Sequence, residues 1–261
     1  MTSTSQLSFP ELSINKVHIF YADTSALDNI DRELTDHWLD QSEQNKVEKL
    51  HFLRDKTLYQ LSHYMLRWVL SQYLNLQPQQ IEFDTNQYGK PSVKGCNKLF
   101  FNLSHTNGVS VIALSKNKTI GIDVEKINPK IEVNSIADNF FHPDEVKQLN
   151  QLSQNERPSA FYKIWTLKEA YIKAKGMGLS IPLRDFNFNF DSPNIVDVNF
   201  NYNLKETPSD WKFTSYESEK YHNFIVSVAT ISSQLNIEAY DIQLGVDKVT
   251  PHQQRLIAQT C

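Results

Sequence analysis

The run LFFNLSHTNGVSVIALSKNKTIGIDVE, Leu99 to Glu125, holds three apolar stretches parted by short polar turns. Leu99–Leu103, Val109–Leu114 and Thr119–Glu125 are too short for independent helices and are rich in strand-forming residues. Thr106-Asn107-Gly108 and Lys116-Asn117-Lys118 are the kind of polar turn that reverses a chain. The stretch therefore predicts an antiparallel meander. Its last run alternates, with Ile120, Ile122 and Val124 on one face and Gly121, Asp123 and Glu125 on the other.

Outward from this run the period changes to that of helices. On the N-terminal side Lys16–Tyr21 predicts a strand and Asp28–Asp40 a helix. Glu43–Leu76 predicts one long helix or two shorter ones, with Leu58, Leu61, Met65, Val69 and Leu70 at helical spacing. Pro78 suits the start of a further short helix. On the C-terminal side Pro143 fits a first helical position, Asp144 and Glu145 favour the helix dipole, and Phe141 and Val146 are spaced as a hydrophobic staple. Ser159–Lys175 predicts a longer helix that Gly176 would stop. After Pro182 alternating strands dominate, at Phe186–Phe190, Ile195–Phe200, Trp211–Tyr216 and Phe224–Ala229. Helices followed by antiparallel strands, twice over, predict an α+β fold and exclude a doubly wound one. Two similar halves would meet near Lys116–Lys118, as residues 1–117 and 118–261.

Composition narrows the function. The chain has 261 residues, with 26 basic and 30 acidic side chains and a net charge of −4. That length suits one or two domains, and the acidic balance argues against a general nucleic-acid binder. No apolar run approaches the about 18 residues of a membrane span. Met1–Pro10 lacks the charged and apolar regions of a secretory signal. Cys96 and Cys261 cannot form a disulfide framework, so a reducing, cytoplasmic setting is expected. Glycine is scarce, 7 in all, and Gly89, Gly108, Gly121, Gly176 and Gly178 fall where the chemistry concentrates.

Three constellations carry that chemistry. Asp123 and Glu125 share one strand face; this is ordinarily a solvated edge, but it also suits a hard cation such as Mg²⁺, with Gly121 leaving room beside the pair. In Trp165-Thr166-Leu167-Lys168-Glu169-Ala170-Tyr171-Ile172-Lys173, Glu169 and Lys173 stand side by side at i and i+4. They are either a surface pair or a metal carboxylate beside a phosphate-neutralising ammonium. Gly89-Lys90-Pro91 and Asn102-Leu103-Ser104-His105 place a hydroxyl, an imidazole and an ammonium where they could converge on an anion. A serine hydrolase is rejected, because Ser104 and His105 are adjacent on an extended chain and point apart. No zinc motif (CxxC or HExxH), Walker loop or GxGxxG dinucleotide motif occurs.

In order along the chain, Gly89-Lys90-Pro91, Asn102-x-Ser104-His105, Gly121-x-Asp123-x-Glu125 and Trp165-x-x-Lys168-Glu169-x-x-x-Lys173 resemble the 4′-phosphopantetheinyl transferase superfamily. The resemblance is to its stand-alone, Sfp-type members and runs from about Phe52 to Leu183. It implies two pseudo-symmetric halves, each with helices on a small antiparallel sheet, and an active site in the cleft between them. It implies transfer of phosphopantetheine from coenzyme A to a serine of an apo acyl or peptidyl carrier protein. Asp123, Glu125 and Glu169 match Mg²⁺ carboxylates, and Lys173 matches a lysine beside the pyrophosphate. Lys90, Pro91, Ser104 and His105 match the nucleotide end of the coenzyme A site, which puts those contacts in the N-terminal half. Glu169 is the first choice of base for the serine, and Glu145 the second. Where the family carries a basic residue for the 3′-phosphate, this chain has Thr57 or Leu58, leaving Lys49, His51, Arg54 or Lys56 to substitute. The chain is long enough to act as a monomer. The carrier is expected to dock on Gly176–Leu183, steered by Lys173 and Lys175, with Met177 and Leu179 outward and Ile181 and Leu183 inward. Two alternatives are a non-catalytic protein that binds coenzyme A or carriers, and a Mg²⁺-dependent pyrophosphate hydrolase.

Overall fold

A computed structural model describes residues 9–24, 37–117, 119–192, 194–231, 236–243 and 248–260. The expected helix over Asp28–Asp40 lies largely outside them, as do Lys118, Cys261 and the segment before Phe9. The fold is α+β, and among the described residues it has five α-helices. They are α1 (Gln41–Lys49), α2 (Leu53–Leu74), α3 (Val133–Phe140), α4 (Pro143–Gln151) and α5 (Arg157–Lys175). None is long and apolar enough to cross a membrane.

Glu43–Leu76 resolves into two helices. Asp40 caps α1 in a reciprocal box with Glu43, and the chain turns at Leu50. Both acids also serve α2. Arg67, fully buried, donates to Glu43 Oε2 at 2.8 Å and to Asp40 Oδ2 at 2.9 Å. It also donates to the carbonyls of Pro78 and Ile81. A charge that looks like an interruption of an apolar helix is thus a satisfied internal node.

The strands are β1 (Lys16–Asp23), β2 (Phe83–Thr85), β3 (Pro91–Val93), β4 (Phe100–Thr106), β5 (Val109–Ser115), β6 (Ile120–Lys126), β7 (Phe186–Ser192), β8 (Asn194–Phe200), β9 (Trp211–Ser218), β10 (Phe224–Ile231), β11 (Asn236–Gln243), β12 (Lys248–Pro251) and β13 (Gln254–Gln259). A five-stranded sheet runs β12-β11-β1-β5-β4, a six-stranded sheet runs β6-β10-β9-β13-β8-β7, and β2 and β3 form a hairpin.

This topology corrects the meander. β4 and β5 pair antiparallel as expected, but β6 leaves them and pairs with β10 in the other sheet. The chain changes sheets between the end of β5 and the start of β6. A cut at 117/118 still does not separate the sheets, because β11 returns to pair parallel with β1. Among the described residues β13 beside β8 is the second parallel pairing, and the sheets are otherwise antiparallel. The last third of the chain therefore stitches both sheets.

The layers run helix, sheet, sheet, helix. Met65, Leu66 and Val69 of α2 pack on Phe20, Ile112 and Leu114 of the first sheet. The opposite face of that sheet, with Val17, Ile19 and Val111, meets Ile122, Val124, Val226 and Val228 of the second. Leu167, Ala170 and Tyr171 of α5 cover the outer face of the second sheet against Phe186 and Phe213. The parity read from β6 is right, but its polar face lies under α5 instead of in water.

Candidate active site

β4 and β6 are neighbouring strands of different sheets, and side chains join them. Ile122 N–H donates to Asn102 Oδ1 at 2.8 Å, and Val124 N–H to Ser104 Oγ at 3.4 Å. This arrangement satisfies an edge strand without continuing the ladder. It also brings Ser104 to Asp123, whose Oδ1 accepts the Ser104 hydroxyl at 2.9 Å.

The helix α5 delivers the third member. Gly121 of β6 lies against it so closely that a Cβ would stand 2.0 Å from Ala170 O and 2.4 Å from Ala174 N. The space expected beside the acid pair is therefore filled by helix backbone. That contact lets Lys173 Nζ reach Asp123 Oδ1 at 2.6 Å and Ser104 Oγ at 2.9 Å. The other Asp123 oxygen, Oδ2, is buried and has no hydrogen-bond partner.

Two more carboxylates feel this charge. Burial, with Asp123 next in size, pushes Glu125 and Glu169 up to about 7 each. Lys173 opposes the rise in both, and Glu169 adds to it in Glu125. One ammonium thus faces three carboxyl groups, one of them with an orphaned oxygen. Among the described residues no three His, Cys, Asp or Glu side chains are gathered into a ready metal cage. The expected Asp123/Glu125/Glu169 triad is therefore not preassembled. Mg²⁺ does not need it to be, since it takes one or two carboxylates and fills its remaining positions with water and phosphate oxygens. An all-oxygen, charge-rich donor set with an unsatisfied buried oxygen fits such an ion.

A cavity of about 360 Å³ opens on Glu169 and Lys173 and is bordered by Asn102, Leu179 and the Tyr88–Pro91 turn. Gly89 and Pro91 also border a second lobe of about 250 Å³, lined by Lys46, Tyr59 and His63. The Tyr59 hydroxyl is buried without a partner. His63 stacks on Tyr59, and burial lowers its pKa to about 4, with smaller contributions from His105 and Lys46. Neither lobe is lined by Lys49, His51, Arg54 or Lys56. Lys46 is the basic residue that does line this lobe. Its i+3 spacing from Glu43, whose side chain turns inward to Arg67, was the available signal.

The expected convergence of Ser104, His105 and Lys90 on one anion does not form. Ser104 is committed to Asp123 and Lys173. Lys90 Nζ donates to the carbonyls of Ile120 and Ala174. His105 is exposed on β4, and the protein crowded around its ring and the nearby Lys173 charge lower its proton affinity.

Glu145 is corrected as a candidate base. Its side chain has no exposed surface and pairs with the equally buried Lys168 at 2.9 Å. It also accepts the N–H groups of His142 and Phe188. Lys168 in turn donates to Leu183 O and Phe186 O. The pair pins α4 and α5 to β7 and offers nothing to a substrate. Glu145→Ala would leave Lys168 buried and unpaired, at a cost of about 3–5 kcal/mol. The expected outcome is a much lower melting temperature with near-normal turnover per folded molecule in the cold. A thermal melt beside an activity assay checks it.

In the docking segment, Leu179 is 78% exposed while Ile181 and Leu183 are in the core. Met177 is half-buried against that core, not outward as expected. Lys175 is paired with Glu206 and Lys173 with Asp123, so neither is free to steer a partner.

The chain matches the sequence pattern of the 4′-phosphopantetheinyl transferase superfamily over residues 119–229. It matches the 4′-phosphopantetheinyl transferase N-terminal pattern over residues 31–117. It is 36% identical over 185 residues to the 4′-phosphopantetheinyl transferase gsp of Aneurinibacillus migulanus, covering 70% of this chain and 73% of that one. It is 30% identical over 193 residues to the 4′-phosphopantetheinyl transferase Sfp of Bacillus subtilis, covering 74% and 83%. HetI of Nostoc, another 4′-phosphopantetheinyl transferase, is 32% identical over 145 residues, covering 54% and 61%. These matches define a transferase. The chain is a member of the 4′-phosphopantetheinyl transferase superfamily, of Sfp type.

Proposed function

We propose that the cleft transfers the 4′-phosphopantetheine group of coenzyme A to a serine of an apo acyl or peptidyl carrier protein. The carrier serine oxygen attacks the phosphorus that bears the pantetheine arm. The bond from that phosphorus to the bridging oxygen breaks, 3′,5′-ADP leaves, and the serine proton passes to a base. The observation that carries this reading is the Asp123–Ser104–Lys173 knot, with Asp123 Oδ2 buried and unsatisfied next to Lys173, which lines the cavity.

Asp123, Glu125 and Glu169 are the residues that would hold Mg²⁺. When bound, the ion supplies positive charge to the pyrophosphate oxygens. Lys173 adds a fixed ammonium where the leaving group gains charge. Glu169, raised to about 7, suits a general base at neutral pH. Pro91 and the stem of Lys90 border the cavity, and His105 lies beside Lys173. A monomer in the cytoplasm is the expected working form.

Lys46 is assigned to the 3′-phosphate, because it lines the lobe that continues past Gly89 and Pro91. Lys46→Ala should weaken coenzyme A by roughly tenfold and leave 3′-dephospho-coenzyme A almost unaffected, from the loss of one charged hydrogen bond. Equal losses for both compounds would remove the assignment. Leu179 is assigned to the carrier. Leu179→Ser should raise KM for the carrier by about tenfold through loss of an apolar anchor, with the Kd for coenzyme A unchanged. A matching loss of coenzyme A affinity would place Leu179 in the nucleotide site instead.

The test follows 3′,5′-ADP release with Mg²⁺ and coenzyme A, with and without an apo carrier. Release only with the carrier, abolished by chelation and restored by Mg²⁺, supports transfer. Release without the carrier means hydrolysis, and no release with any carrier means a binding protein.

A further inference from the structure

The turn between β2 and β3, Asn86 to Lys90, touches both elements that build the cleft. Its own shape is fixed from within. Asn86 Oδ1 accepts the backbone N–H groups of Tyr88 and Lys90, each at 2.9 Å. Asn86 N–H donates to Lys90 O at 3.1 Å, and Gly89 takes a φ of +88° that favours glycine.

From this base Lys90 extends an ammonium that donates to Ile120 O at 2.9 Å and Ala174 O at 3.0 Å. Ile120 opens β6 just ahead of Asp123, and Ala174 follows Lys173 on α5. Asn86 Nδ2 donates to Gly176 O at 2.7 Å. Ala174 and Gly176 supply carbonyls at the end of α5, where helical partners run out and a cation is favourable. The fit is close: a Cβ on Gly176 would stand 2.6 Å from Lys90 Cδ.

We propose that Lys90 is a positioning residue whose ammonium, shared between Ile120 O and Ala174 O, sets the spacing between the strand carrying Asp123 and the helix carrying Glu169 and Lys173. The inference rests on the reading of the cleft as the transfer site. The spacing matters because Lys173 meets Asp123 at 2.6 Å, and an error of about 1 Å in such a site can cost on the order of 100-fold in rate. The ammonium is spent on main chain, so it is not a phosphate ligand. Burial lowers Lys90 to about 8, which leaves the clamp charged at neutral pH.

Lys90→Met keeps a stem against Gly176 and removes the charge. Wild type, Lys90→Met, Lys90→Arg and Asn86→Ala are compared by transfer kinetics, by calorimetric Kd for coenzyme A without carrier, and by thermal melting. Lys90→Met should lose at least about tenfold in kcat while its Kd for coenzyme A stays within about threefold of wild type. Lys90→Arg should recover part of the loss. Asn86→Ala, with the ammonium in place, should lose only about threefold. Weaker coenzyme A binding with kcat intact overturns the proposal and makes Lys90 a ligand; no change in either overturns it as well. The second readout is the amide NMR shifts of Asp123 and Lys173 in the ligand-free protein. They should move together in Lys90→Met, or in Lys90→Arg if the methionine variant does not fold, and stationary shifts overturn the clamp. A wild type that transfers nothing defeats the functional reading alone, since the shifts still decide the clamp.

Discussion

Asp123→Asn is expected to lower transfer by about 10²–10³-fold, a loss of about 3–4 kcal/mol of transition-state stabilisation, while the protein stays folded. Asparagine keeps the volume and still offers Lys173 and Ser104 an oxygen. It replaces the other oxygen with an amide that cannot serve a cation. The carboxylate charge that holds Lys173 in place is lost as well. Because the same charge raises Glu169, the variant's Glu169 should titrate lower. The loss should therefore be largest in kcat, with a smaller change in KM for coenzyme A. Steady-state kinetics and a melting curve check both statements. Turnover within a few-fold of wild type would remove Asp123 from the site.

Gly121→Ala should have the largest effect on stability, beyond about 3 kcal/mol and sufficient to prevent accumulation of folded protein. Gly121 does not have a positive φ, so backbone strain is not the cause. The cause is contact: the new methyl would overlap Ala170 O and the backbone of Ala174, and neither can rotate away. Relief requires α5 to move off β6, which would separate Lys173 from Asp123. Any folded fraction should therefore be inactive too. Soluble yield, melting temperature and residual activity measure the outcome, and a stable, active Gly121→Ala protein would contradict the packing.

These two residues show what the sequence made legible. The alternation of β6 put Gly121 and Asp123 on one face, and helical spacing put Glu169 beside Lys173. Both patterns survive because they are local. Gly121 was misread as room because a bare glycine does not say what approaches it. Lys90, Ser104 and Glu145 have internal partners that the sequence did not show, for one shared reason. Each is polar beside a functional motif, and only tertiary structure shows whether its polar atoms are already used. Lys90 is spent on two carbonyls, Ser104 on Asp123 and Glu145 on Lys168. β13 was illegible for another reason. Its alternation, Gln254 to Gln259, is weak, and it is held by neighbours on both sides, β9 and β8. The path of β6 from one sheet to the other was hidden because the Lys116–Lys118 turn suits a hairpin or a crossing.

The central claim is that this cleft moves phosphopantetheine to a carrier serine. Intact-mass measurement tests it most directly, on a panel of apo acyl and peptidyl carrier proteins incubated with the chain, coenzyme A and Mg²⁺. The predicted result is a gain of one phosphopantetheinyl group by at least one carrier, absent when its target serine is changed to alanine and nearly absent with Asp123→Asn. Unmodified carriers throughout, or modification that Asp123→Asn performs as fast as wild type, would contradict the account.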